Sequence, residues 1–274
     1  MIKKITDDLE LGKIMDSGQC FRWYEEDGSY RIMSGSRCLY MTELGDGDYE
    51  LDCSEEEFDA YWYDYLDLEE DYAAIRARID PAEDPFLYEA CEHEKGIRML
   101  RQDPWEMLIS FIISQNRNIP AIRRSIELLS EACGDRRVDS RGRGYYAFPG
   151  PEAVASLSEE ELTACKLGYR TGYVHLAAVA VNEGSFDVAS LMDADEEHTI
   201  ESLKSLMGVG DKVANCVSLF GLHHMNAFPR DVWVKRILAD KYPDGYPFES
   251  YSPYNGVYQQ YMFAYYRGLA VGER

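Results

Sequence analysis

Hydrophobic and polar residues follow two different rhythms along this chain. Through Cys53, apolar, aromatic and β-branched residues come in short bursts over 20–24, 30–33, 38–42 and 49–52. The bursts are cut by Asp27-Gly28, Ser34-Gly35-Ser36 and Gly45-Asp46-Gly47-Asp48. Short bursts between turn residues predict antiparallel strands. At Ser54-Glu55-Glu56-Glu57 a capping-box sequence opens a run with Phe58, Tyr61, Trp62 and Tyr65 at helical spacing. Beyond it, Asp103-Pro104-Trp105-Glu106 combines an N-cap, a proline at the first helical position and a glutamate two residues on. Ile119, Ile122, Ile126, Leu129 and Cys133 then recur three and four apart up to Gly134. Ser158-Glu159-Glu160-Glu161 caps a further helix that stops at Gly168, and 173–181 forms another. The pattern predicts an α+β chain, with an antiparallel N-terminal domain over 1–82 packed on a mostly helical body over 83–274.

With 274 residues, 46% hydrophobic and 28% charged, the chain has the balance of an ordinary folded protein and needs no staples to hold a core. Nothing approaches the roughly 18 uninterrupted apolar residues that span a bilayer. The start turns acidic at Asp7-Asp8, where a signal peptide needs an apolar run. We therefore expect a soluble, cytoplasmic protein without membrane contact. Seven scattered cysteines include no C-x-x-C pair, and five histidines no H-x-x-x-H pair, so no metal site and no cofactor are expected.

The net charge of −22 argues against nucleic acid, because phosphate binding draws on Lys and Arg. Its distribution weakens that objection. Residues 1–100 hold 27 acidic against 10 basic residues, and residues 101–274 hold 23 against 18. Seven arginines fall within 117–143 and further cations within 204–241, enough for a local basic face on the second part of the chain.

The informative segment is 199–238. A helix closes near Leu206, Met207-Gly208-Val209-Gly210-Asp211 turns tightly, and a second helix runs over 212–220 to Gly221. Helix, glycine hairpin, helix over about 199–221 can grip phosphate through unpaired N–H groups at the second helix's start, or it is simply a tight helical turn. Lys212 sits in that first turn, where the dipole disfavours a cation. It reads either as an amine nucleophile or as a surface lysine. Asp231 precedes an apolar helical run and is an N-cap, a role compatible with stabilising a cationic intermediate beside Lys212.

The run 206–216 followed by Phe228-Pro229-Arg230-Asp231 resembles the helix–hairpin–helix and Gly/Pro-Asp motif of base-excision DNA glycosylases. Further blocks narrow the likeness: Ser17-Gly18-Gln19-Cys20-Phe21-Arg22-Trp23, Leu100-Arg101-Gln102-Asp103-Pro104, 110–119 and Leu167-Gly168-Tyr169-Arg170. Together, in this order across nearly the whole chain, they resemble the 8-oxoguanine DNA glycosylases. The resemblance implies a bifunctional glycosylase and abasic-site lyase that acts as a monomer on duplex DNA containing 8-oxoguanine. In a prokaryote it would be associated with the nucleoid.

It also implies roles for particular residues. Lys212 would attack the sugar C1′ and pass through a Schiff base, with Asp231 as its electrostatic partner. The Gly18 carbonyl would accept from the N7–H of the lesion. Cys216 and Phe263 would sandwich the flipped base, and Gln259 would bond its Watson–Crick edge. Asn116 would fill the hole left in the duplex, Tyr169 would wedge beside it and Arg170 would reach the estranged base, while Gly208 and Gly210 would grip the backbone. Base flipping needs these jobs done because the reacting carbon is inaccessible inside the stack.

Two positions depart from the family pattern. Ala121 stands where animal and fungal members carry an arginine that reads the opposite cytosine, and Trp233 replaces a phosphate-contacting histidine. The first departure implies relaxed opposite-base selectivity. The other readings are a glycosylase of the same superfamily for another damaged base, a non-catalytic DNA-binding module, or a helical scaffold. The Gly18 block argues against the first, and the joint presence of Lys212 and Asp231 against the second.

Overall fold

The computed structural model describes residues 1–272. The head holds β1 (Ile2–Lys4), α1 (Leu11–Asp16), β2 (Trp23–Glu26), β3 (Ser29–Ser34), β4 (Arg37–Gly45) and β5 (Asp48–Leu51). These strands form one antiparallel sheet in the order β1-β5-β4-β3-β2. The two Asp-Gly turns join β2 to β3 and β4 to β5, with both residues of each at positive φ, the geometry that matches strand twist. Register then aligns Trp23, Ile32 and Leu39 across three strands, and all three are fully buried. Leu11 and Ile14 of α1 and Phe58 and Trp62 of the following helical turns close over them. β1 and α1 were not predicted: three residues with an exposed-intermediate-exposed pattern carry no strand signature of their own, and pairing with β5 creates the strand.

The body is built from α2 (Pro85–His93), α3 (Pro104–Ser114), α4 (Ile119–Cys133), a hairpin of β6 (Arg136–Val138) and β7 (Gly144–Tyr146), α5 (Thr171–Asn182), α6 (Glu196–Lys204), α7 (Asp211–Phe220), α8 (Val232–Lys241) and α9 (Asn255–Gly272), with short helical turns between them. α3 runs through its middle, buried from Trp105 to Ser114. The apolar faces of α4, α5, α7 and α9 supply a single core around it. Among the described residues, no helix is long and apolar enough to cross a membrane.

Head and body are stitched by buried polar groups. Asp103 caps α3 as expected, accepting from Glu106 N at 2.8 Å. Glu106 does not complete a capping box but reaches out to accept from Gly35 N, at the turn between β3 and β4, at 2.8 Å. Burial pushes its carboxyl up to about 7. Arg22, almost wholly buried, donates to Glu127 at 3.2 Å and to Tyr146 O at 2.5 Å. Several arginines of the 117–143 run are likewise turned to the head. Arg141 lies 3.8 Å over the Tyr40 ring, Arg143 pairs with Glu26 and Asp27, and Arg123 donates to Met15 O. Three of the run's seven arginines are thus engaged with the head, while Arg117 lines the cleft, so the run is not one continuous basic face.

Candidate active site

The site begins with polar residues on an otherwise apolar helix. Ser114 ends α3, is buried, and donates to Phe111 O at 2.8 Å. Its hydroxyl also accepts from Lys212 Nζ at 3.3 Å, and the ammonium stands 5.2 Å from the centroid of the Phe111 ring. The sequence reading missed Ser114 and Phe111 as partners of Lys212. The signal was there: past Glu106 in its first turn, Ser110 and Ser114, one turn apart, are the polar residues of an otherwise apolar buried helix.

Lys212 is the second residue of α7. Gly210 precedes the helix at extended φ −102° and offers no side-chain cap, so the first N–H groups of α7 are left for an outside acceptor. Gly208 has φ +84°, and a Cβ there would lie 2.3 Å from Cγ of Tyr173. The hairpin thus rests directly on an aromatic ring, a close approach that only glycine allows. Tyr173 meets Tyr169 edge to face at 6.1 Å.

Asp231 caps α8, its Oδ1 accepting from Val234 N at 2.8 Å. It lines the same recess as Lys212 but forms no ion pair with it within 4.0 Å among the described residues. The recess, about 70 Å³, is lined by Gly18, Phe111, Lys212, Cys216, Asp231, Gln259, Gln260 and Phe263. Burial raises the Cys216 thiol above its usual range, partly offset by the Lys212 ammonium, so it presents a neutral apolar wall. Gln259 is buried and its Oε1 has no hydrogen-bond partner. An orphaned buried acceptor costs about 1–3 kcal/mol, a cost removed when a donor enters the recess.

Lys212 and Asp231 also border an open cleft of about 1120 Å³ that includes Asn116, Arg117, Tyr169 and Gly210. Asn116 is exposed at φ +51°, a left-handed conformation asparagine tolerates. Tyr169 is 57% exposed beside it. Arg170 departs from expectation. It is 5% exposed and faces inward, donating to Leu167 O at 3.1 Å and to Gln115 O, with its guanidinium 4.2 Å over the Tyr169 ring. The geometry makes it a strut for the Asn116 turn instead of a side chain reaching into the cleft. Among the described residues no cluster of His, Cys, Asp or Glu is placed to hold a metal.

Residues 1–108 match the family of the 8-oxoguanine DNA glycosylase N-terminal domain, and residues 109–243 the HhH-GPD superfamily of base excision DNA repair proteins. The chain belongs to the 8-oxoguanine DNA glycosylase family. The N-glycosylase/DNA lyase OGG1 of Arabidopsis thaliana is 30% identical over 249 residues, covering 87% of this chain and 68% of the plant protein. Among solved structures, MBOgg1 in complex with a low-affinity DNA ligand superposes with a TM-score of 0.92 at 35% identity, over 98% of this chain and 96% of that one. The Clostridium acetobutylicum 8-oxoguanine glycosylase/lyase, in complex with double-stranded DNA containing cytosine opposite 8-oxoguanine, gives 0.90 at 33% identity over 98% of both. The likeness spans the sheet-bearing head as well as the helical body, so it covers every element of this glycosylase that contributes to the recess.

Proposed function

We propose that this glycosylase flips 8-oxoguanine out of duplex DNA, excises it with Lys212 as nucleophile and then nicks the strand as a lyase, working as a monomer with a head over 1–82 and a catalytic body over 83–274. One juxtaposition carries the reading. The Lys212 amine stands at the mouth of a recess whose far wall holds the unpartnered Gln259 acceptor and the Gly18 loop. A flipped 8-oxoguanine offers donors along its Watson–Crick edge to Gln259 and its N7–H to the Gly18 carbonyl, with Cys216 and Phe263 on its faces. Lys212 in its neutral form adds to C1′ as the glycosidic C–N bond breaks, and the base leaves with that electron pair and a proton. Loss of a proton from nitrogen and opening of the sugar give the imine. Removal of a C2′ proton then expels the 3′ phosphate by β-elimination. Asp231 holds negative charge where the cationic sugar develops.

Selectivity for the base opposite the lesion is relaxed in this reading. Ala121 can donate nothing from its methyl group, and Arg170 is held by Gln115 O and Leu167 O.

The test is covalent trapping. Borohydride added during turnover of a duplex with one 8-oxoguanine should leave a stable protein–DNA adduct that Lys212→Gln abolishes. An adduct of undiminished intensity in Lys212→Gln would remove Lys212 from this role.

A further inference from the structure

α9 delivers two adjacent glutamines to the recess. Gln259 faces the position of the base, whereas Gln260, 3% exposed, turns to the N-terminal loop and donates from Nε2 to Ser17 O at 2.5 Å. That contact joins residues 243 apart in sequence. The loop is held from its other side as well. Gln19 donates to Arg98 O and accepts from Leu100 N, both at 2.9 Å, and Gln102 donates to Gln19 O at 2.9 Å. Gly18 lies between these anchors at φ +83°, with no side chain to hold it and with Phe263 of α9 opposite.

We infer that Gln260 is a positioning residue for lesion recognition: it ties the Gly18 loop to α9, so that the carbonyl that reads N7–H keeps a fixed distance from Gln259 and Phe263. The inference rests on the proposed function; Gln260 borders the recess, but its amide donor is committed to Ser17 O and its role is exerted through the Gly18 loop. The physical need is plain. One base must touch groups from opposite ends of the chain at once, and glycine gives its own peptide little restraint. The anchors through Gln19 and Gln102 fix the loop to the 98–102 segment ahead of α3 but not to α9. Gln260 supplies that last tie, beside the residue that reads the opposite edge of the same base. A displacement of about 1 Å at such a site costs on the order of 10²-fold in rate.

The experiment compares single-turnover excision of 8-oxoguanine with cleavage of a preformed abasic site, which has no base to read. Gln260→Met keeps length and volume and removes the donor, and Gln260→Ala removes the side chain altogether. The expected result is excision slowed by about tenfold or more, the worth of one lost buried hydrogen bond, with abasic-site cleavage close to wild type at a temperature where both variants remain folded, since the unpaired Ser17 O lowers the thermal midpoint by only a few degrees. That split in either folded variant supports the assignment. Equal losses on the two substrates in both variants, or no loss in either, overturn it. A wild-type protein that cleaves abasic sites but leaves 8-oxoguanine untouched would instead refute the proposed function, so the two failures are distinguishable.

Discussion

Replacing Gly208 by alanine is the most demanding test of the hairpin. At φ +84° an L-residue strains its own backbone by roughly 1–2 kcal/mol. The added methyl would also sit 2.3, 2.4 and 2.8 Å from three atoms of the Tyr173 ring. These are atoms near the root of the ring and not the end of a flexible chain, and Tyr169 packs against its edge. Overpacking of this kind costs about 1–3 kcal/mol, so the sum is roughly 2–5 kcal/mol and the thermal midpoint should fall by about 5–15 °C. Gly210→Ala is the matched control, because its φ is −102° and nothing lies within 4 Å of the new methyl. That variant should melt as wild type does and yet bind an abasic-site duplex more weakly at fixed salt, since the methyl would stand beside the uncapped N–H groups proposed to meet phosphate. Melting curves and DNA titrations on both proteins decide the matter. A Gly208→Ala variant with the wild-type midpoint, or two variants equally destabilised, would refute the reasoning.

Three further predictions follow from single sites. With Ala121 unable to donate and Arg170 held inward by Gln115 O and Leu167 O, excision opposite adenine, guanine or thymine should lie within about tenfold of that opposite cytosine, and Ala121→Arg should raise the cytosine preference by about 10- to 100-fold, the worth of one bidentate contact; single-turnover rates against all four partners check this, and a strongly cytosine-selective wild type would refute it. Asp231→Asn should slow base release by roughly 10²-fold while leaving melting nearly unchanged, because an amide oxygen can still accept from Val234 N; full activity would reduce Asp231 to a cap. Burial raises Glu106 from an ordinary carboxylate value to about 7, so the native state holds its proton where the unfolded chain has lost it, and stability falls as pH rises through the window from 4.5 to 7. Glu106→Gln should therefore gain stability relative to wild type at pH 8 compared with pH 5, in paired melts, and a constant difference would place the titration elsewhere.

What the sequence disclosed depended on how local the governing physics was. The Asp-Gly turns, the Asp103 cap and the full capping box at Ser158 were legible because each is settled within four residues. The Ser54 motif was legible only in part: Ser54 Oγ accepts from Glu57 N, but the Glu57 carboxylate accepts from Trp62 instead of closing the box. The β6–β7 hairpin was hidden because β6 is an exposed Arg-Arg-Val without apolar alternation, while β7 is held against the head by Tyr146 O accepting from Arg22 and Tyr145 Oη donating to Ser36 O. At the site, Lys212, Asp231 and the glycines were visible from motif spacing. Ser114, Phe111 and Gln260 were not, because what they touch is distant along the chain, 98 residues for Ser114 to Lys212 and 243 for Gln260 to Ser17. Arg170 marks the limit of reading neighbours alone. Its place beside Tyr169 suggested a DNA-facing reader, and only the fold shows Gln115 O taking its guanidinium.

An acidic chain that handles a polyanion requires its own explanation. Arg123, Arg141 and Arg143 are engaged with the head, and the cleft is lined by Arg117, Lys212, Arg230 and Lys235 against Glu196, Asp211, Asp231 and Glu249. Asp211, at the start of α7, is itself paired with Lys204 at 2.5 Å. The cleft is therefore close to neutral, and the field of the whole molecule repels DNA at long range. Binding must then rest on short-range groups: the uncapped N–H groups of α7, the hairpin seated on Tyr173, and the polar walls of the recess. This arrangement has a consequence for selectivity. Affinity for undamaged duplex is almost wholly electrostatic and independent of sequence, so a neutral cleft under a negative field lowers it most. In the proposed mode of capture, the lesion would add contacts to Gln259, Gly18 and Phe263 that depend little on net charge. On that mode of capture, the acidic composition would suppress unproductive binding to undamaged DNA more than it suppresses binding of the damaged base.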